Sequence, residues 1–515
     1  MKHTFVPRRL VALALALSLL LSAGLLPAAA VVQQSAPVPA QTAAPAAAQT
    51  KSLPQAPSQL VNKILPNGLE VIVLEDHSIP LVTVELAVKN GSFTEPPELN
   101  GLSHLFEHMF FKANCSLLEN AAYLRVYDQM GILSNASTRE EIVNYYSHTT
   151  SPNLRVAMLN LRDSIRCPLF DQGQFEQERK AVLDEFDEKE SQPGFYLNQE
   201  MNHHLFSKYF SRKNIIGNRE TIKAATTDTM RLIQGRYYVP NNTALIVTGD
   251  AQPEEVFKIA EELFGGWQRA ADPFQKFPLV DHPALAKSEG VILRQPVNNV
   301  LIMVGWHGPS IGKDNAATYA ADVFSFILRQ PDSRFQRALV DSGLVAGVDL
   351  LYYTQRNTGP IQLAAETTPD KARAATRAIY QEVAHFNDPD YFSDQELENA
   401  KGLLEADDLF SREKLTDYTH NVAFWWASTG LEYFRGYLGN LRRTSRADIS
   451  RYIAIYIQGK PHVGLAMLSD ESQAQAKLTE QDLTGEPGAA RTTAAAAGVR
   501  QTLGGRRAAA AAGRQ

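Results

Sequence analysis

The chain has 515 residues, 44% of them apolar and 21% charged, and carries a formal net charge of −6. Such a length is too great for one ordinary core, so two or more domains are expected, and the apolar and charged fractions are those of folded soluble protein. The acidic balance argues against a nucleic-acid partner, which needs a basic face, and leaves room only for a local basic patch.

The first 30 residues differ in composition from the rest. "MKHTFVPRRL" supplies Lys2, Arg8 and Arg9, Leu10 to Leu26 is free of charge, and small residues follow at Ala28 to Ala30. A basic start, an apolar run and a small-residue exit form a secretory signal, with cleavage expected near Ala30. The competing reading is an uncleaved anchor, since the run approaches the lower limit of a spanning helix. The run is apolar all round, unlike an amphipathic mitochondrial presequence. The expected destination is the periplasm of a Gram-negative bacterium, or secretion, with no stable membrane span after cleavage. Residues 31–58 are Ala/Pro-rich and read as a linker, and 486–515 read as a disordered tail. Export would permit a disulfide between the two cysteines, Cys115 and Cys167; a chain this large does not need one, so paired and free thiols both stay open.

Folded protein lies between. "LPNGLEVIVLED" holds Asn67-Gly68, a hairpin signal, ahead of a β-branched strand. "PLVTVELAVKNGS" predicts a second strand with its own Asn-Gly stop. Gly101 to Lys112 has helical character, and "FEQERKAVLDEFDEKE" predicts a charged amphipathic helix. "NNTALIVTGD" is a strand pattern, followed by a helix opened by Pro253 and closed by Gly265-Gly266. Residues 224–250 have a weak counterpart in 444–470: helix, aromatic-rich end, polar turn, strand, acidic stop. "QERKAVLDEFDE" has a rough one in "ELENAKGLLEADD". A repeat at this scale predicts two α+β domains of similar size, 59–270 and 288–485, joined near Ala271 to Ser288.

"GLSHLFEHMFFKAN" sets two histidines and a glutamate in five residues. On a helix His104 and His108 project from one face about one turn apart, and two neutral imidazoles so placed can bind zinc. Glu107 flanks that face, where a carboxylate can take a proton from water and return it to a leaving amine. H-x-x-E-H is the inverted zinc-peptidase signature. On the pattern alone, a packing helix with two histidines is an equal alternative. A catalytic zinc needs a third protein ligand. Glu178 and Glu185 are two helical turns apart on one face with Glu188 beside it, and spacing alone leaves the choice open.

The segments "LPNGLEVIVLED…PLVTVELAVKNGSFTEPPELNGLSHLFEHMFFK", "NASTREEIVNYY", "ERKAVLDEFDE", "IIGNRETI" and "YYVPNNTALIVTGD" together resemble the pitrilysin/insulinase family of zinc metallopeptidases. The resemblance covers residues 60–270 and continues more weakly to about 480. It implies two homologous domains, each an antiparallel-rich mixed sheet flanked by helices, the second a degenerate copy without the metal site. It also implies one zinc per chain held by His104, His108 and Glu185, with Glu107 as general base and Glu178 supporting a ligand through a hydrogen bond. The segment "NAST" would lie on an edge strand, where Asn135 and Ala136 meet an extended peptide substrate by strand addition.

The second half lacks "HLFEH", and Glu405 falls near the position equivalent to Glu185 without histidines to join. The family's copy supplies an Arg and a Tyr that hold the substrate and the tetrahedral intermediate. Here those positions fall on Leu339 and about Ala346, with Arg334, Arg337, Tyr352 and Tyr353 nearby. The resemblance therefore implies a zinc-bearing endopeptidase subunit completed by a homologous zinc-free partner, or else a homodimer. A non-catalytic zinc-binding scaffold is the competing class.

Overall fold

The structure, a computed structural model, describes residues 60–485. The signal-like segment 1–30, the linker 31–58 and the tail 486–515 lie outside the described residues. Among the described residues no helix is long and apolar enough to cross a membrane.

The first half contains β1 (Leu60–Ile64), β2 (Glu70–Glu75), β3 (Leu81–Val88), α1 (Leu102–Phe110), β4 (Leu133–Thr138), β5 (Val143–Thr150), α2 (Leu154–Arg166), α3 (Gln172–Glu190), α4 (Pro193–Leu205), α5 (Thr227–Tyr237), β6 (Thr243–Gly249) and α6 (Pro253–Phe264). The second contains β7 (Glu289–Arg294), β8 (Val300–His307), α7 (Asn315–Arg329), β9 (Gly347–Tyr352), β10 (Pro360–Thr367), α8 (Ala372–His385), α9 (Asp394–Ser411), α10 (Leu415–Ser428), α11 (Leu431–Arg443), α12 (Arg446–Tyr456) and β11 (Val463–Leu468). The sheets run β1-β2-β6-β3-β5-β4 and β7-β11-β8-β10-β9. Apart from the extra β1, the second order repeats the first strand for strand. In each sheet the first strand of the repeat pairs in parallel with the last (β2 with β6, β7 with β11), and the remaining pairs are antiparallel. Both halves are thus antiparallel-rich mixed sheets flanked by helices, as expected.

The central strands are buried on both faces, and their residues divide by the two-residue period of an extended chain. In β2, Val71 and Val73 join a core built with helices of the same half, whereas Ile72 and Leu74 join a separate cluster on the opposite face. That second cluster is completed by Tyr418, Val422, Ala423 and Trp426 of α10, from the other half. The exchange is reciprocal: Leu197, Met201 and Leu205 of α4 cover Met303, Val463, Leu465 and Met467 on the second sheet. The helices exchanged occupy equivalent places in the repeat, each directly after the long charged helix. Polar contacts reinforce the junction. Backbone N–H groups of Arg356 and Asn357 donate to the buried Glu141 carboxylate at 2.8 and 2.9 Å. Lys213 Nζ donates to the carbonyls of Asn357 and Thr358 at 2.8 and 2.9 Å.

Cys115 and Cys167 form a disulfide, with Cα atoms 5.6 Å apart across a sequence separation of 52. It joins the segment after α1 to the approach of α3. Closing a loop of that length can stabilise the fold by about 4 kcal/mol through the unfolded chain.

Trp426 is 4% exposed, and its indole N–H donates to Glu70 at 2.8 Å. Trp426→Ala is expected to cost about 3–5 kcal/mol in denaturant unfolding of the whole chain. Because each sheet is finished by the other half, the intact chain should unfold in one transition; two well-separated wild-type transitions would contradict the reciprocal burial.

Candidate metal centre

The start of α1 is fixed from below. Glu95 is buried, and its carboxylate accepts the N–H groups of Gly101 at 2.7 Å and Ser103 at 2.6 Å, donors that a helix start leaves without intrahelical partners. Burial pushes the Glu95 carboxyl up to about 7, against the pull of those hydrogen bonds. Gly101 and Gly217 both have positive φ, +94° and +89°, and a Cβ on Gly217 would lie 2.3 Å from the Cα of Gly101. Only glycine lets these two backbones meet. The apolar residues Leu102, Leu105, Phe106, Met109 and Phe110 then anchor α1 in the first core. Its other face, with His104, Glu107 and His108, is free to meet the site. Across from it, α3 is capped by Asp171, whose side chain accepts the Gln174 N–H at 2.9 Å.

Helices α1 and α3 bring His104, His108 and Glu185 together. Glu185 Oε2 lies 3.5 Å from His104 Nε2 and 3.6 Å from His108 Nε2. One donor atom from each of the three lies within 4.8 Å of the others. Donors 2.0–2.1 Å from one tetrahedral ion would be roughly 3.4 Å apart, so this spacing fits a single ion without rearrangement. His104 Nδ1 is buried with no hydrogen-bond partner among the described residues, so its polar company is on the Nε2 side, facing Glu185. Burial pushes His104 down to about 3, which keeps it neutral, the state a metal ligand needs.

His108 behaves differently. Burial works against its charge, but Glu178 and Glu185 lift it to about 9. Its Nδ1 lies 3.2 Å from Glu178 Oε2, which leaves Nε2 to face Glu185. Glu185 is held well below the usual carboxylate range, burial being outweighed by His108, His104 and Lys189. Glu178 is also lowered, by His108 and Lys112 against burial. Each carboxylate is paired with a lysine 2.7 Å away, Lys189 for Glu185 and Lys112 for Glu178.

Glu107 stands outside this ligand set. Its carboxyl is raised by burial, partly offset by the Thr138 hydroxyl, which donates to Oε2 at 2.5 Å. Thr138 ends β4, the last strand of the first sheet, whose outer edge carries no strand partner among the described residues. Asn135 is exposed and Ala136 half-buried on that strand. Thr138, Lys112 and Lys189 were not singled out from sequence. Lys189 had a legible signal, lying four residues after Glu185 on the same helix; Lys112, past the end of α1, and Thr138 had none beyond their places in "HMFFK" and "NAST".

Among the described residues the second half offers no comparable centre. Helix α7, equivalent to α1, contains no histidine. Glu405 on α9 is paired with Arg442 of α11. Leu339 is fully buried and Ala346 is exposed. Arg334 sits over the Tyr391 ring at 4.9 Å and 3.5 Å from Glu382. Tyr352 donates its hydroxyl to the Pro309 carbonyl at 3.0 Å, and Tyr353 stacks on Phe424.

Comparison with known proteins agrees with this architecture. Residues 70–218 match the model described as "Insulinase (Peptidase family M16)", and residues 225–404 match "Peptidase M16 inactive domain". An uncharacterized zinc protease, YmxG of Bacillus subtilis, is 23% identical over 349 residues, covering 67% of this chain and 83% of its own. A protease from Helicobacter pylori superposes with a TM-score of 0.73 at 20% identity, covering 80% of this chain and all of that one. The periplasmic protease PqqL from Escherichia coli superposes with a TM-score of 0.67 at 18% identity, over 84% of this chain and 50% of its own.

Glu178→Ala should weaken zinc binding by about 10–100-fold, because it removes the carboxylate that orients His108. Competition against a chromophoric chelator reads the change. An unaltered affinity would mean that Glu178 does not hold the ligand.

Proposed function

Because the chain belongs to the insulinase (M16) peptidase family, its second half being the inactive M16 domain, we propose that it is a zinc-dependent endopeptidase acting on peptides or unfolded segments. The observation that carries this reading is the single Glu185 oxygen shared between two imidazole nitrogens, with a separate half-buried carboxylate, Glu107, one residue from a ligand. His104, His108 and Glu185 would hold one zinc ion. When bound, zinc supplies Lewis acidity toward a scissile carbonyl and makes water nucleophilic at neutral pH.

The remaining work belongs to the chain's own groups. Glu107 accepts the proton of the attacking water and returns it to the leaving amine. The raised carboxyl of Glu107 suits both directions of transfer, and Thr138 keeps Oε2 in place. An extended substrate would add to the free edge of β4 along Asn135 and Ala136. Thr138 closes the same strand, so substrate backbone and base are positioned by one element. Glu178 holds the His108 ring in the tautomer that presents Nε2.

The resemblance puts the Arg and Tyr that would hold the tetrahedral oxyanion at positions 339 and about 346, which here are Leu339 and Ala346. A missing oxyanion donor is worth about 10²–10³ in turnover. This supports a heterodimer in which a homologous zinc-free subunit contributes those side chains, with a homodimer as the alternative. A periplasmic location is part of the same proposal. It is supported by the signal-like start of the sequence, and a disulfide suits an exported chain. The competing scaffold reading gives Glu107 no task beside the ligand set.

Chain dialysed against metal-free buffer should retain one zinc. Glu107→Gln should keep that zinc and lose cleavage of a quenched peptide by at least about 10²-fold, the lower range for a lost general base. Cleavage by this variant at the wild-type rate would end the proposed mechanism. Strong activity from this chain alone would remove the need for the zinc-free partner.

A further inference from the structure

A second group of imidazoles and carboxylates lies away from this centre. Glu200, His203 and His204 stand at positions i, i+3 and i+4 of α4, so all three project from adjoining parts of one helix surface. One donor atom from each lies within 4.8 Å of the others. His204 Nε2 is 3.6 Å from Glu200 Oε2, the separation that His108 Nε2 keeps from Glu185. His204 Nδ1 is 3.1 Å from Glu289 Oε1 at the start of β7, much as His108 Nδ1 is 3.2 Å from Glu178. The local pattern of the first centre therefore recurs. In both, one carboxylate oxygen lies close to a histidine Nδ1 and another lies 3.6 Å from the Nε2 of the same ring.

We propose that Glu200, His203 and His204 form a second divalent-metal site, with Glu289 positioning the His204 ring. Two imidazoles and one carboxylate suit zinc, nickel or copper(II) and not calcium or magnesium, which favour all-oxygen sets. The site is open to solvent on the His203 side, where the ring is exposed, while Glu200 and His204 are half-buried. Donors on one tetrahedral ion would be roughly 3.4 Å apart, and here the His204–Glu200 pair is 3.6 Å apart with the His203 donor within 4.8 Å of both. The adjoining face of α4 carries Leu197, Met201 and Leu205, which cover the second sheet, so His204 sits at the edge of that contact. Glu289 belongs to that sheet's first strand. An ion here would brace the helix from the first half against the strand of the second, an action separate from peptide cleavage.

The test is a zinc titration of the full chain against a chromophoric chelator, in wild type and in two double variants. Wild type is expected to take up two equivalents. His104→Ala/His108→Ala should keep only the second, and His203→Ala/His204→Ala only the first. Glu289→Gln should weaken the second equivalent by about 10–100-fold. In the His104→Ala/His108→Ala background, zinc should raise the melting temperature, and adding His203→Ala/His204→Ala should abolish that rise. Melting of the metal-free variants within a few degrees of wild type shows that they fold. No uptake by His104→Ala/His108→Ala chain at micromolar zinc would overturn the site and leave only hydrogen-bonded ion pairs. Retention of the second equivalent after His203→Ala/His204→Ala would overturn it equally. Uptake confined to His203 and His204 would support it while contradicting the catalytic reading, so the two proposals fail separately.

Discussion

Neither sheet can bury both faces with helices from its own half, and this constraint organises the molecule. The strands carry apolar residues on both sides, Val71 and Val73 against Ile72 and Leu74 for example, so a half standing alone would leave one face wet. The chain resolves this by exchange. Helix α10 closes the first sheet and α4 closes the second. The buried Glu141 and Lys213 contacts to the segment 355–358 then sit at a dry junction, where polar groups must be paired.

The metal centre depends on this frame at one remove. Helix α1 is packed on the first sheet, held by Glu95 at its start and by the Gly101–Gly217 approach. Helix α3 leads directly into α4, the helix donated to the other half. The charges of the site are balanced locally. Two carboxylates bind two imidazoles and are flanked by two lysines, which limits the repulsion of a carboxylate-rich pocket before any ion arrives. A dication held by His104, His108 and Glu185 would replace the proton on the His108 Nε2 that faces Glu185, while Nδ1 stays with Glu178.

Much of this was legible in the sequence, for identifiable reasons. The β-branched apolar runs "LEVIVLE" and "ALIVTG" mark strands, Asn67-Gly68 marks the hairpin, and the i, i+4 histidines mark one helix face. The repeat linking 224–250 to 444–470 anticipated equal strand orders in the two sheets. Choosing Glu185 over Glu178 was beyond helical spacing, because both lie on the same face; the resemblance to other peptidases made that choice, and the geometry separates them by which histidine nitrogen each faces. The helix exchange had no sequence signal, since period-2 apolar residues reveal that a face is buried but not by what. Pairing of Cys115 with Cys167 was equally out of reach, being a matter of Cα separation in the folded chain.

The exchange of helices also bears on how the chain is made. Synthesis runs from the first half to the second, and the residues that cover Ile72, Ala244 and Ile246 begin only at α10, Leu415. At ribosomal rates of about 5–20 residues per second, the interval from Trp267 to Leu415 lasts roughly 7–30 s. For that time the emerging first half presents an uncovered apolar sheet face, the kind of surface that attracts holding chaperones. The first half can pair its strands early, yet it stays sticky until α10, in the last fifth of the chain, has emerged.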